Sequence, residues 1–325
     1  MEFEKLKSLS ARLGSDPLMV QAAGGNTSLK KDGVMWIKAS GTWLMHAAGK
    51  DIFVPLDMTR LAKALAEDDP DCESCLPFVR QDMNPRGLRP SIETSVHGLM
   101  PQAVVLHVHC VNTIAWAIQP DAEAQLQKPL SGFKWVFVPY ARPGLQLSRA
   151  IRQGIKPDTE VLILGNHGLA VAGKTVDEAE ALLMRVVEAL QRPSRKLPTP
   201  DLKRLNLLAG GTKYRLPDDA SAHVFALDPW AHAHGANHVY YPDHVVFLGT
   251  EVPSEIASNA AAIAIYGSGV LVRKDAKPSI EPMLRCLGDV FRRLAPGTAL
   301  KALTATEIDQ LLNWDAEKYR QTLKV

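Results

Sequence analysis

Apolar residues recur at helical spacing over residues 3–13 (Phe3, Leu6, Leu9, Leu13), which predicts an amphipathic helix with Gly14 as its stop. The next apolar runs are short. Val34–Lys38 and Ile52–Leu56 have strand length, and Asp57 can cap a helix continuing to about Leu65. Residues 67–81 are acidic and polar and read as a surface connection, while 84–90, with two prolines, reads as a loop. Ser91 opens a predicted helix that leads through Pro101 into the apolar run Ala103-Val104-Val105-Leu106. That run closes in Leu106-His107-Val108-His109. Then come a short helix over 112–118, a strand over Trp135–Tyr140 running into a loop, and a helix over 144–151. Val161–Leu164 is continuously apolar, as in a strand buried on both faces, and ends in Gly165-Asn166-His167-Gly168. A strand over 169–173 and an amphipathic helix over 177–190 complete this half.

The pattern breaks at residues 191–200, which hold three prolines and several basic residues. This divides the chain into residues 1–192, a linker at 193–202, and a C-terminal α/β region at 203–325. In the latter, Val245–Leu248, Ala262–Ile265 and Gly269–Val272 read as strands. A helix follows over 279–294, and Thr304 with Glu307 forms a capping box opening a last helix that carries Leu311, Leu312 and Trp314 towards a core. Gly267-Ser268-Gly269-Val270-Leu271-Val272 before a helix echoes Gly165-Asn166-His167-Gly168-Leu169-Ala170-Val171 before a helix, the pattern of a degenerate half-repeat that lacks the histidine.

Composition narrows the classes. The 325 residues are 46% hydrophobic and 22% charged, with a net charge of +2. This is globular composition without the basic excess of a nucleic-acid binder. The charged amphipathic start is unlike a signal sequence, and no apolar run is long enough to span a membrane, so a cytoplasmic protein is expected. Four cysteines (Cys72, Cys75, Cys110, Cys286) do not make a disulfide framework, and Cys72 and Cys75, without a partner pair, read as ordinary loop thiols.

The chemistry-bearing residues gather around His107 and His109. On one strand their rings share a face, because side chains alternate with period two. His167, flanked by glycines at the end of a buried strand, supplies a third imidazole from a tight turn. Three protein ligands with an open position are the pattern of a catalytic metal. Glu93, one helix upstream, is placed to be a fourth ligand or a base, and equally reads as a helix-start acid favoured by the dipole. His97 reads as a packed helix residue. The glycine loop Gln21–Ser28, containing Gly25 and Asn26, and the small polar loop Ala39–Thr42, containing Ser40 and Gly41, can present donors to an anion; the first reads equally as a plain turn. His232, His234, His238 and His244 are denser in sequence but lack strand context, and read as a surface or interface loop.

Taken together, Gly25-Asn26, Ser40-Gly41, Ser91-x-Glu93, His107-x-His109, Val138-Pro139-Tyr140 and Asn166-His167-Gly168 resemble the class II aldolase/adducin family in order and approximate spacing, over about residues 7–190. The resemblance implies an α/β/α domain around a central, mostly antiparallel sheet, and a homo-oligomer, usually a tetramer, with sites at subunit contacts. It implies Zn2+, or Mn2+ or another divalent metal, on His107, His109 and His167, with Glu93 as acid/base and Tyr140 as a proton donor serving a neighbouring subunit. Gly25, Asn26, Ser40, Gly41 and Ser91 would bind substrate. The implied reaction is retro-aldol cleavage of a ketose, sugar phosphate or sugar acid through a metal-stabilised enediolate. An epimerase, dehydratase or decarboxylase on the same metal, or a non-catalytic adducin-like interaction protein, are the competing readings. Ile92 stands where the phosphate-binding pattern has a second serine, so a phosphorylated substrate would need another donor such as Thr27, Lys30 or Lys38.

Overall fold

A computed structural model describes residues 2–257 and 259–322. Strands β1 (Asn26–Lys31), β2 (Val34–Lys38), β3 (Phe53–Asp57), β4 (Val104–Val108), β5 (Trp135–Val138), β6 (Val161–Leu164) and β7 (Gly168–Gly173) form a seven-stranded sheet in the order β3-β2-β1-β4-β7-β6-β5. Every pairing is antiparallel except β5 with β6.

The alternation of side chains sets the layers. Val104, Leu106 and Val108 face the helices Glu2–Ser15 and Val176–Ala189 in one core; Val105, Leu162 and Ala170 face Val96, Leu147 and Ile151 in another. Helix Met58–Ala66, capped by Asp57, covers the β2–β3 end through Leu61 and Leu65. The result is the expected α/β/α arrangement around a mostly antiparallel sheet.

The C-terminal region builds a smaller sheet, β8 (Tyr214–Arg215), β9 (Ala262–Ile265) and β10 (Gly269–Arg273), in the order β8-β10-β9. Its main core is shared: Val111, Ile114, Ala115 and Ile118, at the helix Val111–Ala117, pack with Phe225, Leu284, Leu287 and Phe291. Residues 191–200 lack regular structure, but Arg195 pins them by donating to the carbonyls of Leu294 and Phe291 and to Asp228. The β9–β10 hairpin shares its pairing and loop length with β6–β7, although Gly269 stands at φ +130° and Gly168 is not left-handed. Leu164 pairs with Gly168 and Ile265 with Gly269, and the middle residue of each three-residue loop is left-handed, Asn166 at φ +51° and Gly267 at +70°.

Several sequence expectations are corrected. Val245–Leu248 is not a strand but part of a helix, Pro242–Leu248; four apolar residues do not distinguish the two, and Pro242 pre-sets the helical start. The histidine-rich stretch expected as a loop begins with a helix, Pro229–Gly235, capped by Asp228. Residues 67–81 are not purely a surface connection, because Cys72, Cys75 and Phe78 turn inward into the β2–β3 core. The first helix runs past Gly14 to Ser15, and the polar stretch Asn26–Lys31 is a strand, its pairing partners on both sides overriding weak propensity. In the capping-box helix Ala305–Leu312, Leu311 is buried and Leu312 is 37% exposed. A further short helix, Asp315–Thr322, follows. No helix among the described residues is long and apolar enough to cross a membrane.

Asn166 ties the two regions together. Its side-chain amide donates to the carbonyls of Tyr240 (3.0 Å) and Lys301 (2.7 Å). Asn166→Ala leaves both acceptors short of a donor and keeps a side chain in left-handed backbone, so it is expected to lower stability by about 3 kcal/mol. Asn166→Gly should recover about 1 kcal/mol of that by relieving the backbone. Urea unfolding checks both; an alanine variant as stable as wild type contradicts the assignment.

Candidate metal centre

Strand register assembles the centre. His107 in β4 lies opposite Asn26 in β1 and Ala170 in β7. The pairing is antiparallel, so His109 just beyond β4, His167 just before β7 and Asn26 at the start of β1 all emerge at one end of the sheet. Glu93 arrives at the N-cap of the helix Thr94–Leu99. It is not a first-turn acid there: its side chain makes no capping bond and turns to the imidazoles. Nor does Ser91 cap this helix in the way expected. Its hydroxyl accepts from the Asn26 amide (3.0 Å) and the Glu93 backbone N–H (3.3 Å).

The three imidazoles form a nearly regular triangle, with ring centroids 4.9, 5.0 and 5.1 Å apart. Nε2 of His107 lies 3.1 Å from Nε2 of His109. The Glu93 carboxylate spans the group, with Oε2 at 3.3 Å from His107 Nε2 and Oε1 at 3.3 Å from His167 Nε2. One donor atom from each of the four residues lies within 4.8 Å of all the others. All four residues are buried. The backbone permits this closeness only where side chains are missing: a Cβ on Gly168 would stand 2.6 Å from the Val108 carbonyl, and one on Gly25, at φ +59°, 2.8 Å from that of His107.

Burial and mutual contact shift the titrating groups of the site. Burial lowers His107 below its ordinary value and pushes His167 down to about 3. Burial alone would raise Glu93; the positive charge that the facing imidazoles carry when protonated, with the Asn26 amide, which donates to Oε2 at 2.8 Å, outweighs it and holds the carboxyl down at about 2. The Leu169 carbonyl lies 3.0 Å from His107 Nδ1 and can only accept, so that nitrogen carries the proton and Nε2 keeps its lone pair. Glu93 Oε1 has no hydrogen-bond partner among the described residues. Three imidazole lone pairs and a carboxylate oxygen converging in a buried space fit a divalent cation.

The other predicted residues divide. Gly25, Asn26, Ser40, Gly41 and Ser91 line one cleft with Glu93, His109 and His167. Of the three alternative donors, only Lys38 lines it, with its ammonium donating to the Ala23 carbonyl at 2.7 Å. Thr27 bonds with Ser10, and Lys30 donates to the carbonyls of Met100 and Gln102. Tyr140 is not brought to this cleft. It packs against Val239, Val245, Leu303 and Leu311, and burial raises its hydroxyl above the ordinary range. His97 is structural, with Nδ1 2.7 Å from Ser28 Oγ. His232, His234, His238 and His244 do not gather into a ligand group among the described residues, and buried His244 is pushed down to about 3.

Sequence reasoning missed two cleft residues from the C-terminal region, Asp243 and Glu317. Asp243 Oδ2 lies 2.8 Å from His109 Nδ1. Neither position carries a local signal, because each reaches the cleft through tertiary packing.

Comparison with known proteins gives the family. The family model for the class II aldolase and adducin N-terminal domain matches residues 5–192. The chain belongs to the class II aldolase and adducin family. Members are generally enzymes and typically depend on a divalent metal. An uncharacterised oxidoreductase, YuxG of Bacillus subtilis, is 29% identical over 236 residues, 69% of this chain and 33% of that protein, so the chain spans about a third of that relative's length. The N-terminal class II aldolase domain of a conserved Thermoplasma acidophilum protein is 26% identical, covering 58% of this chain and 92% of that one, with a TM-score of 0.51. The L-fuculose-1-phosphate aldolase of Thermus thermophilus is 16% identical, covering 64% of this chain and 96% of that one, with a TM-score of 0.40.

The buried imidazoles fix the pH response of the metal-free protein. In the unfolded chain they take up protons near pH 6.5, whereas in the folded chain His167 and His244 stay neutral down to about 3. Their stabilising effect is therefore complete above the unfolded value and lost as pH falls below it. Denaturant unfolding should show stability dropping from about pH 6.5 downwards, each group adding a slope of up to about 1.4 kcal/mol per pH unit. Constant stability between pH 7 and 5 contradicts neutral buried rings.

Proposed function

We propose that this chain is a divalent-metal-dependent aldolase, an aldehyde-lyase that cleaves a ketose, a sugar acid or a sugar phosphate by retro-aldol chemistry. The observation that carries the reading is Glu93. Its carboxylate bridges His107 and His167 while opening onto a donor-lined cleft. A structural metal site closes its coordination shell, whereas this one keeps an ionisable group beside the substrate space.

His107, His109 and His167 would hold the cation, Zn2+ or another divalent metal. When bound, it supplies Lewis-acid stabilisation for the charge that carbon–carbon cleavage leaves on the substrate's oxygens. Glu93 exchanges the proton at the nucleophilic carbon, oriented by the Asn26 amide. Lys38, Ser40 and Ser91 supply one positive charge and two hydroxyls for the distal end of the substrate, with the backbone around Gly25 and Gly41 close enough to donate. Ile92 adds an apolar wall in place of a further hydroxyl. Tyr140 lies outside this chain's own cleft. Its proposed exchange with the aldehyde oxygen belongs to a tetramer in which it serves a neighbouring copy. An adducin-like scaffold would have no use for the full ligand set.

Screening ketoses and sugar acids, with and without phosphate, in the presence of Zn2+ or Mn2+ tests the reading directly. Glu93→Gln is expected to keep the metal and lose about 100-fold or more in turnover. His109→Ala should lose metal and turnover together. Aldehyde release that is unaffected by Glu93→Gln contradicts the acid/base role. Isomerised, dehydrated or decarboxylated product with no aldehyde moves the same site to another reaction. Wild-type protein without stoichiometric metal under saturating supply overturns the reading.

A further inference from the structure

Resting on the proposed metal centre, we propose that Asp243, delivered by the C-terminal region, is a positioning residue that holds His109 with its Nε2 turned to the cation. The three imidazoles all present Nε2 to the centre, so the partner of each outer nitrogen decides how firmly the ring is aimed. For His107 that partner is the Leu169 carbonyl, at 3.0 Å. For His109 it is the Asp243 carboxylate, 2.8 Å from Nδ1. The outer nitrogen of His167 has no hydrogen-bond partner among the described residues. His109, like His167, lies one residue outside the paired strands, so its ring is not aimed by strand pairing itself. The carboxylate therefore stands behind a ring that strand pairing does not hold.

The contact is built from both sides. On one side, a Cβ on Gly24 would lie 2.7 Å from Asp243 Oδ2 and 2.8 Å from His109 Nδ1, so the pair meets only because this position is glycine. On the other, Pro242 starts the helix Pro242–Leu248 and places Asp243 in its first turn, where an acid is ordinarily a solvated complement to the helix dipole. Asp243 is instead 3% exposed and faces the centre. The approach is held by the Asn166 amide on the Tyr240 carbonyl, so the residue before His167 fixes the segment before Asp243.

Charge gives the arrangement a purpose. A dication among neutral imidazoles and one carboxylate leaves a net positive charge in a buried space, and the second carboxylate neutralises it. A carboxylate on the outer nitrogen also fixes the tautomer and raises the basicity of the ligating nitrogen. The C-terminal region is thus part of the metal centre.

The test uses the full-length protein and measures Zn2+ affinity by competition with a chromophoric chelator, together with the visible spectrum of the Co2+-loaded protein. Asp243→Asn is expected to weaken Zn2+ binding about 10-fold and Asp243→Ala about 100-fold, with a shifted Co2+ spectrum. The structural control is Asp228→Asn, which keeps the helix cap but loses the charge opposite Arg195 in the same region and should leave Zn2+ affinity and the Co2+ spectrum unchanged. If the Asp243 variants do not fold, Gly24→Ala probes the same contact and should weaken Zn2+ binding in the same way. Wild-type affinity and spectrum in Asp243→Asn, or equal weakening in Asp228→Asn, overturns the positioning role while leaving the metal centre standing. Failure of the wild-type protein to bind either ion overturns both.

Discussion

The antiparallel pairing of β4 with β1 and β7 is the constraint on which the rest of the structure depends. A strand pairing specifies which chain ends meet, and here it brings the exit of β4 together with the entries of β1 and β7. Slipping β4 by one residue would turn His107 away from the centre and push Val104 and Leu106 off the face they share with helices Glu2–Ser15 and Val176–Ala189. The apolar alternation that fills the core therefore also aims the imidazoles. The candidate site and the fold use the same register, and the glycines at 25 and 168 mark where that register brings backbone closest.

Burying four potential ligands raises an electrostatic problem that the structure resolves locally. The buried Glu93 carboxylate is met by the Asn26 amide, which donates to it, and lies against the imidazoles of His107 and His167. The C-terminal region adds the second carboxylate and covers the same end of the sheet. It shares a core with the helix Val111–Ala117 that immediately follows His109. The segment at 191–200 is consequently a pinned strap across one continuous body, with Arg195 as its fastening.

Much of the N-terminal domain was legible from the sequence because its signals are local. The two-residue spacing of His107 and His109 predicts a shared face, the glycines around His167 predict a tight turn, and both lie beside apolar runs of strand length. Glu93 was legible as a candidate, but its alternative as a helix-start acid could be dismissed only once its side chain was seen facing the rings. The strand Asn26–Lys31 was hidden by its polar composition, since its stability comes from two neighbours. Asp243 and Glu317 were illegible for a deeper reason: each depends on how distant segments pack, and a lone acid in a helix's first turn is commonplace. Val245–Leu248 shows the limit of short apolar runs, which state burial without stating conformation.

The central claim, that His107, His109 and His167 together bind a catalytic cation, is tested most directly by X-ray absorption at the zinc K-edge of the Zn2+-loaded protein. The account predicts a nearest shell of about 2.0–2.1 Å with the multiple-scattering pattern of three imidazoles and at least one light oxygen neighbour. A shell of oxygens alone, or one with fewer than three imidazoles, would contradict it.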